Sequence, residues 1–371
     1  MDARHVYVHV PFCARRCSYC DFAIAVRRTV PVGDFVDALD REIQLRQGNG
    51  PASRVETIYL GGGTPSRLGP DGVKRVLDLV RTRFVPAAGA EITIEANPED
   101  VSTDAAAEWR AAGVTRVSLG VQSFNDDVLR WMHRTHDAAQ AVRAIESLNT
   151  AGFDDWSLDL IFALPPEVNR SWRDDVMRAL ELAPPHISCY GLTVEPHTPL
   201  QRWRERGQVH DADEERYEEE FLATDEMLTA AGYEHYEVSN YARPGRRAVH
   251  NAAYWKRVPY VGFGPSAHSF DGEQRRWNTR EYAAWLQMLL EGRDPVEGTE
   301  SLDTDAVAIE EAYLGLRTSN GLGLNPANAG DFGRWQGRGW AIVDNNRGYL
   351  TPSGWLRLDS LVADLTDVRS R

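Results

Sequence analysis

Three cysteines lie close together near the beginning of the chain: Cys13, Cys17 and Cys20. The 371-residue sequence contains only one other cysteine, Cys189, far away along the chain. Thiolates are ligands that suit zinc ions and iron–sulfur clusters. A structural zinc site and the usual [4Fe–4S] cluster each take four protein ligands. Three thiolates on a four-iron cube would therefore leave one iron free to bind another molecule.

The same cysteines are compatible with two other sites. The three thiolates could hold a zinc ion whose fourth ligand is His9 or Asp21. Alternatively, the thiols could be buried without any metal. Cysteine spacing by itself leaves these alternatives open, so the segments around the loop have to be considered.

The cysteine loop follows a β-rich segment, 6–10, which Pro11 ends because proline cannot extend a strand ladder. From there to about residue 190, apolar β-rich segments alternate with helical patterns. The predicted strands are 6–10, 55–60, 91–96, 114–120, 157–162 and 186–190, and the predicted helices are 34–47, 70–83, 103–112, 125–132, 138–151 and 172–182. This alternation predicts βαβ units and a parallel sheet. Periodicity does not give the strand order, so a doubly wound sheet and an incomplete barrel both remain possible.

Polar and glycine residues occupy the ends of these predicted strands, where parallel α/β folds collect their ligands. The second strand ends in the loop 61–65, G-G-G-T-P, whose backbone can approach a ligand closely because it has almost no side chains. Asp159 lies within an apolar strand, where an unpaired carboxylate is costly, so it needs a partner or a ligand. The other polar residues at or just beyond strand ends are Glu95, Asn97, Gln122 and Arg134.

The motif C-x3-C-x2-C, together with G-G-G-T-P and the polar strand ends, resembles the radical S-adenosylmethionine (SAM) superfamily, and within it the coproporphyrinogen-dehydrogenase-like group. The resemblance implies a partial (β/α)6 TIM-like barrel with a [4Fe–4S] cluster on Cys13, Cys17 and Cys20, whose open iron is chelated by SAM. The SAM-binding residues that it implies are Tyr7 and Tyr19 beside the cluster, Gly62, Gly63 and Thr64 at the methionine amino end, and Glu95, Gln122, Arg134 and Asp159 at the ribose, carboxylate and neighbouring groups. One departure is 164–166, L-P-P, where relatives usually continue L-P-G-Q-T.

After residue 190 the alternation stops. An acidic segment, 211–220, is predicted to form a helix with a solvated face, and 233–241 is predicted to form a strand. Residues 250–255 read H-N-A-A-Y-W. A histidine beside a Tyr-Trp pair supplies an iron ligand and flat apolar surfaces, which a haem site requires, although a packed histidine near aromatic residues has the same pattern.

With its motif H-N-x-x-Y-W, the chain resembles the haem chaperone branch of this family. The resemblance makes His250 the candidate haem contact, with Tyr254 and Trp255 as the wall of the haem site, and it assigns no catalytic residue. The related dehydrogenases carry a fourth cysteine where this chain has Phe22, and an N-terminal extension where only six residues precede Tyr7. The alternative is an oxygen-independent coproporphyrinogen III dehydrogenase, which uses a SAM-derived radical for oxidative decarboxylation.

Three regions are predicted. Residues 1–195 would form the radical SAM core, 196–300 an α+β extension with the H-N-x-x-Y-W motif, and 301–371 a small helical or winged-helix-like unit. This last region shows no cluster of basic residues, so we expect it to cover or dock onto the barrel.

Composition limits the remaining possibilities. A net charge of −14 argues against a nucleic-acid partner, and no apolar run approaches the length of a membrane span. The chain enters a strand almost at once, so we expect no signal peptide, and three reduced thiols favour the cytoplasm. The expected partners are haem and a haem-acceptor protein, with an electron donor and a homodimer as further possibilities.

Overall fold

Six parallel strands form the centre of the fold. The computed structural model describes residues 3–48 and 50–367. The strands are β1 (His5–Val10), β2 (Ser53–Gly62), β3 (Phe84–Ala96), β4 (Arg116–Gln122), β5 (Trp156–Phe162) and β6 (His186–Gly191). They pair with one another in chain order, each parallel to the next. This sequential order is that of an incomplete barrel, so the doubly wound alternative is excluded and the predicted α/β class is confirmed.

Helices connect these strands and cover the sheet. They are α1 (Val32–Gln47), α2 (Gly69–Arg81), α3 (Thr103–Ala111), α4 (Asp126–Trp131), α5 (Ala138–Thr150) and α6 (Trp172–Glu181). Four of them begin after a residue whose side chain accepts a backbone N–H of the first turn, which stabilises the helix start; these caps are Ser102, Asn125, Asp137 and Ser171. The helix predicted over 70–83 corresponds to α2, whose apolar face is buried from Val73 to Val80.

The second half of the chain extends the same sheet at both edges. Its strands are β7 (Glu234–Glu237), β8 (Asn240–Ala242), β9 (Tyr260–Phe263), β10 (His268–Phe270), β11 (Gln274–Asn278) and β12 (Val296–Ser301). The complete order is β12-β11-β10-β9-β1-β2-β3-β4-β5-β6-β8-β7. Strand β9 lies parallel to β1, and β10 to β12 follow it as antiparallel neighbours. The strand that carries the cysteine loop therefore lies directly beside one from the second half.

The prediction of a single strand over 233–241 is wrong, because the segment forms two strands, β7 and β8, joined in a hairpin. The turn between them is stabilised by Glu237, whose carboxylate accepts the backbone N–H of Ser239 at 3.0 Å. The only sequence signal for this turn is Ser239 followed by Asn240, which is weak because the segment contains neither glycine nor proline.

The helices of this region are α7 (Pro199–Glu205), α8 (Glu214–Ala230), α9 (Val249–Trp255) and α10 (Tyr282–Leu290). The acidic face of α8 is only partly solvated, because Glu220 pairs with the buried Arg170 at 3.1 Å. Within the described ranges, no helix has both the length and the apolarity that a membrane crossing requires.

The C-terminal part contains a small antiparallel sheet among helices. It comprises α11 (Thr304–Leu316), β13 (Leu322–Gly323), α12 (Ala329–Gly337), β14 (Ala341–Asp344), β15 (Arg347–Leu350), α13 (Pro352–Trp355) and α14 (Leu358–Asp367). Trp355 anchors this unit: its indole N–H donates to the carbonyl of Leu316 at 2.8 Å, and its ring lies against His235 of β7. The region thus docks onto the sheet edge formed by β7 and β8.

Candidate functional site

The cysteine loop leaves β1 and lies over the carboxyl ends of the parallel strands. Two short strands, Phe12–Cys13 and Ala25–Val26, pair with each other and close the loop. The three thiols are not in disulfides, and all line a cavity of about 340 Å³. Burial raises the pKa of Cys13 to about 11 and that of Cys20 to about 12, so metal binding would release protons from these thiols. Cys189 is buried in β6 and does not line the cavity.

The geometry around the cysteines does not form a zinc site. Both ring nitrogens of His9 are engaged, because Nε2 bonds to the carbonyl of Ala23 at 2.9 Å and Nδ1 to the hydroxyl of Tyr7 at 3.2 Å. In the part of the chain that the structure describes, no three His, Cys, Asp or Glu side chains converge on a point that could hold a single ion. Thiolates on a four-iron cube bind different irons, so a cluster does not require the three sulfurs to meet at one point.

The glycine loop packs tightly against the backbone that leads to the cysteines. A Cβ atom at Gly63 would lie 2.6 Å from the carbonyl carbon and oxygen of Pro11. At Gly62, which has a φ of 111°, it would lie 2.5 Å from the ring of His9. Thr64, the next residue, places its hydroxyl 3.4 Å from the sulfur of Cys13. Gly63 is therefore required by the close approach of the Pro11 backbone, and Gly62 by its positive φ and the neighbouring His9 ring; the loop forms one wall of the cysteine cavity.

Two partly buried carboxyl groups line the same cavity. Glu95 of β3 accepts hydrogen bonds from the hydroxyl of Tyr59 at 2.8 Å and from the backbone N–H of Gly62 at 2.9 Å. Burial raises the pKa of Glu95 to about 7 and the pKa of Asp159 to about 6, although Ser118 donates to Asp159 at 3.2 Å. Two carboxyl groups with raised pKa values in one cavity are typical of a ligand site.

Arg134 connects this cavity to the cysteines. Its guanidinium donates to Oδ1 of Asn97 at 2.6 Å, to the carbonyl of Gly120 at 2.8 Å and to the sulfur of Cys17 at 3.5 Å. Its Nε is buried without a hydrogen-bond partner, so one donor remains for a ligand. Gln122, at the end of β4, lines the same cavity with a φ of 72°, at an irregular point of the pairing between β4 and β5.

The structure brings together most of the residues predicted to bind SAM. Those that line the cysteine cavity are Tyr19, Gly62, Gly63, Thr64, Glu95, Gln122, Arg134 and Asp159. Tyr7 instead lines a neighbouring cavity. Sequence reasoning missed Ser118 and Tyr190, which also line the cysteine cavity. Period-two alternation along β4 and β6 could have placed them on the inner face, but their residue types do not suggest ligand binding.

The neighbouring cavity is larger, at about 530 Å³, and lies between the barrel and the second half of the chain. Its wall is aromatic, with Tyr254, Trp255, Tyr260 and Phe270. The two cavities share four lining residues: Asp21, Phe22, Gly62 and Glu95. Phe22 is 62% exposed, which is unusual for an aromatic side chain and places it at the boundary between the cavities. A molecule in the larger cavity would therefore lie next to the cysteine loop.

His250 lies behind this aromatic wall and is only 1% exposed. Its Nδ1 bonds to the hydroxyl of Thr57 at 2.6 Å, and its Nε2 bonds to the hydroxyl of Tyr254 at 2.9 Å. The ring stacks on Tyr59 with a centroid distance of 4.9 Å. Burial lowers the pKa of His250 to about 3, so the imidazole is neutral. In this arrangement both ring nitrogens are occupied, and His250 orients Tyr254.

Trp255, the last residue of the motif, has a different environment. The guanidinium of Arg317 lies 4.3 Å from the centre of its ring, and the indole N–H is buried without a hydrogen-bond partner. The cation–π contact fixes the ring plane. The residue pair 254–255 therefore presents two oriented aromatic side chains to the cavity.

Comparison with known proteins agrees with this geometry. Residues 7–180 match the Radical SAM superfamily. A curated protein of Mycobacterium tuberculosis named "Heme chaperone HemW" is 37% identical over 366 residues, which cover 97% of this chain and 94% of that protein. The chain belongs to the HemW family. Another HemW, from Escherichia coli, is 39% identical over 80% of this chain and 79% of its own length.

A solved structure is similar to this HemW-family chain over nearly its whole length. It is the coproporphyrinogen III oxidase HemN of Escherichia coli, described as a radical SAM enzyme, with a TM-score of 0.83. The alignment covers 99% of this chain and 91% of HemN, at 24% sequence identity. At this identity the similarity establishes the shared fold, including the region after the barrel.

Proposed function

We propose that this chain is a haem chaperone, which binds haem in the larger cavity and transfers it to an acceptor protein. One observation carries the proposal: an aromatic cavity of about 530 Å³ shares part of its wall with the cysteine cavity. Its size and aromatic wall suit a flat macrocycle. Relatives that align with almost all of this chain are named haem chaperones, which supports the same conclusion.

The cysteine cavity would hold the cluster and SAM. Cys13, Cys17 and Cys20 would bind three irons of a [4Fe–4S] cluster, and Gly62, Gly63 and Thr64 would accommodate the methionine end of SAM. Glu95, Gln122, Arg134 and Asp159 would bind its polar groups, with Tyr19 beside the cluster and Tyr7 approaching from the larger cavity. When bound, such a cluster supplies one-electron chemistry towards SAM. The close glycine contacts and the unpartnered Nε of Arg134 support this assignment.

The H-N-x-x-Y-W motif would form the wall of the haem site. Tyr254 and Trp255 line the larger cavity directly, whereas His250 supports Tyr254 from behind through a hydrogen bond of 2.9 Å. His250 remains our candidate for haem contact in a second arrangement, in which Tyr254 turns away and exposes Nε2. In the arrangement described above, its contribution is to position Tyr254.

Phe22 favours the chaperone over a dehydrogenase. It stands where the dehydrogenases that this chain resembles carry a fourth cysteine, and its exposed ring lines both cavities. A phenyl ring offers a stacking surface to a macrocycle but no ligand to a metal. We expect it to contact bound haem near the cluster.

The remaining partners belong to the same proposal. A chaperone needs a haem-acceptor protein, a cluster that changes redox state needs an electron donor, and the chain would act as a homodimer. The cytoplasm is the proposed location, because cluster thiols must stay reduced before assembly.

The test is an anaerobic comparison of haem binding with porphyrinogen oxidation. Cluster-loaded protein is titrated with haem, and a separate sample receives coproporphyrinogen III, SAM and a reductant. We expect one haem per chain and no protoporphyrinogen. Product formation without haem binding would establish the dehydrogenase instead. The matched variant is Trp255→Ala, which removes part of the proposed wall and should weaken haem binding while leaving the cluster content unchanged.

A further inference from the structure

His268 is a second histidine on the larger cavity, besides His9, and it lies outside the motifs described above. It is the first residue of β10, and its side chain is exposed to the cavity. Among the described residues, the ring of His268 contacts Trp277 but neither of its nitrogens has a hydrogen-bond partner. The other two histidines near this cavity, His9 and His250, each have both nitrogens engaged. His268 is therefore the imidazole that is free to bind a metal.

The surroundings of His268 hold its ring in place without occupying its nitrogens. The ring stacks on Trp277 of the neighbouring strand, with a centroid distance of 5.9 Å and an interplanar angle of 24°. The two residues are direct partners in the pairing of β10 and β11. Burial, with Arg275 nearby, lowers the pKa of His268, which favours the neutral form that binds metals. A rigid strand and a stacked ring are the support that a metal ligand needs.

Three arginines line the same cavity: Arg257, Arg275 and Arg280. Arg257 pairs with Glu310 and Glu311, and Arg275 pairs with Glu310 and Glu300, so their charge is largely compensated. Arg280 differs, because within the described part of the chain it has no carboxylate partner and bonds only to the backbone carbonyl of Asp21. Its guanidinium is exposed and lies beside the cysteine loop. It is the cation best placed to pair with a carboxylate of a bound ligand.

We infer that His268 binds the iron of haem in the larger cavity and that Arg280 pairs with a haem propionate. The inference rests on the proposed function and specifies its haem site. The imidazole supplies a lone pair to the iron, and neither a proton nor an electron has to be transferred. The aromatic residues Tyr254, Trp255 and Phe270 would pack against the macrocycle. Haem bound in this way would approach Asp21 and Phe22, which line both cavities.

The experiment compares haem with metal-free protoporphyrin IX on cluster-loaded protein. Haem binding to the unmodified chain should give the absorption and EPR signature of a histidine-ligated iron. For His268→Ala we expect this signature to disappear and haem affinity to fall by about tenfold or more, since even second-shell changes cost about that much in metal affinity. Added imidazole should restore the signature. Affinity for protoporphyrin should stay unchanged, because no iron is present. His210→Ala, an exposed histidine paired with Glu167 outside the cavity, is the matched control.

The outcomes separate the two proposals. If the unmodified chain binds no haem, the proposed function fails and this inference fails with it. If it binds haem and His268→Ala keeps the same signature and affinity, only this inference is wrong. If His268→Ala also loses protoporphyrin, the variant is misfolded and His268→Met decides instead. A methionine ligand should change the iron signature, and an unchanged signature would overturn the assignment.

Arg280 is tested with haem and its dimethyl ester. For Arg280→Gln we expect affinity for haem to fall by about tenfold, because a charge-assisted hydrogen bond is lost. Affinity for the ester, which carries no propionate charge, should not change, and Arg280→Lys should recover part of the haem affinity. Equal losses for haem and ester would overturn the propionate assignment. Arg293→Gln, remote from the cavity lining and paired with Glu291, is the control.

Discussion

Nε2 of His250 and the hydroxyl of Tyr254 share a hydrogen bond of 2.9 Å, one turn apart on helix α9. The bond continues through Nδ1 of His250 to Thr57 on strand β2. The H-N-x-x-Y-W motif is therefore tied to the barrel interior at one end and lines the larger cavity at the other. This relationship explains why the motif requires a histidine and a tyrosine four residues apart.

Removing the hydroxyl of Tyr254 should destabilise the fold modestly. In Tyr254→Phe, Nε2 of the buried His250 loses its partner, and an unsatisfied buried group costs about 1–3 kcal/mol of unfolding free energy. Urea unfolding measures the change. The matched control is Tyr260→Phe in the same cavity, because the hydroxyl of Tyr260 has no hydrogen-bond partner among the described residues. Equal stability of the two variants would contradict the role assigned to the bond.

Adding a methyl group at Gly63 should disturb the cysteine cavity. The new Cβ in Gly63→Ala would lie 2.6 Å from the backbone of Pro11, so the glycine loop or the cysteine loop must move. Such overpacking costs about 1–3 kcal/mol. If the free protein can relax and the SAM-bound protein cannot, this cost lowers SAM affinity by roughly tenfold. SAM titration and iron content per chain check this. Gly33→Ala, where no atom lies within 4 Å of the added Cβ, should change neither quantity.

The sequence predicts the framework better than the details of the site. Alternating strands and helices give the α/β class, and the polar strand ends identify most lining residues, because period two fixes which side chains point inwards. The pairing of β9 with β1 could not be predicted, since it joins segments some 250 residues apart through a contact that has no local signal. The same pairing brings His268 and Arg280 beside the cysteine loop, so their proximity to it could not be inferred either.

Arg134 should require its planar guanidinium and not only its charge. It donates to Asn97, Gly120 and Cys17, and a lysine ammonium cannot reach this set in one geometry. For Arg134→Lys we expect SAM affinity to fall by about tenfold, equivalent to one charge-assisted hydrogen bond. Isothermal titration measures it. Arg130→Lys, an exposed arginine on α4, should bind SAM normally. If Arg134→Lys bound SAM with unchanged affinity, the planar guanidinium of Arg134 would not be needed for SAM binding.

Glu95 should make stability fall as pH rises towards neutrality. Burial, with Asp159 nearby, raises its pKa from 4.5 to about 7, although Tyr59 and Gly62 donate to it. Between these values the folded protein keeps a proton that the unfolded chain has lost, so the unfolding free energy decreases with pH. The stabilisation that protonated Glu95 gives to the folded state is complete below about pH 4.5 and is lost above about pH 7. Over this range the unfolding free energy falls by about 3 kcal/mol.

The measurement is the difference in unfolding free energy between the unmodified chain and Glu95→Gln, at matched metal content, from about pH 5 to 8. The difference should decrease with pH as Glu95 ionises. Asp159 faces the same cavity and titrates in both proteins, so its contribution cancels to first order. Asp271→Asn is the control, because backbone N–H groups of Gln274 and Glu273 lower the pKa of that carboxyl and keep it ionised throughout. A difference that does not vary with pH would contradict the raised pKa of Glu95.

The position of haem beside the cluster is the central claim, and one anaerobic experiment tests it most directly. Cluster-loaded protein is reduced, titrated with haem, and followed by EPR of the cluster. Because the two cavities share Asp21, Phe22, Gly62 and Glu95, the account predicts one haem per chain and faster relaxation of the cluster spin as haem iron binds nearby. Stoichiometric haem binding with an unchanged cluster signal would place haem elsewhere, and no haem binding at all would contradict the chaperone function.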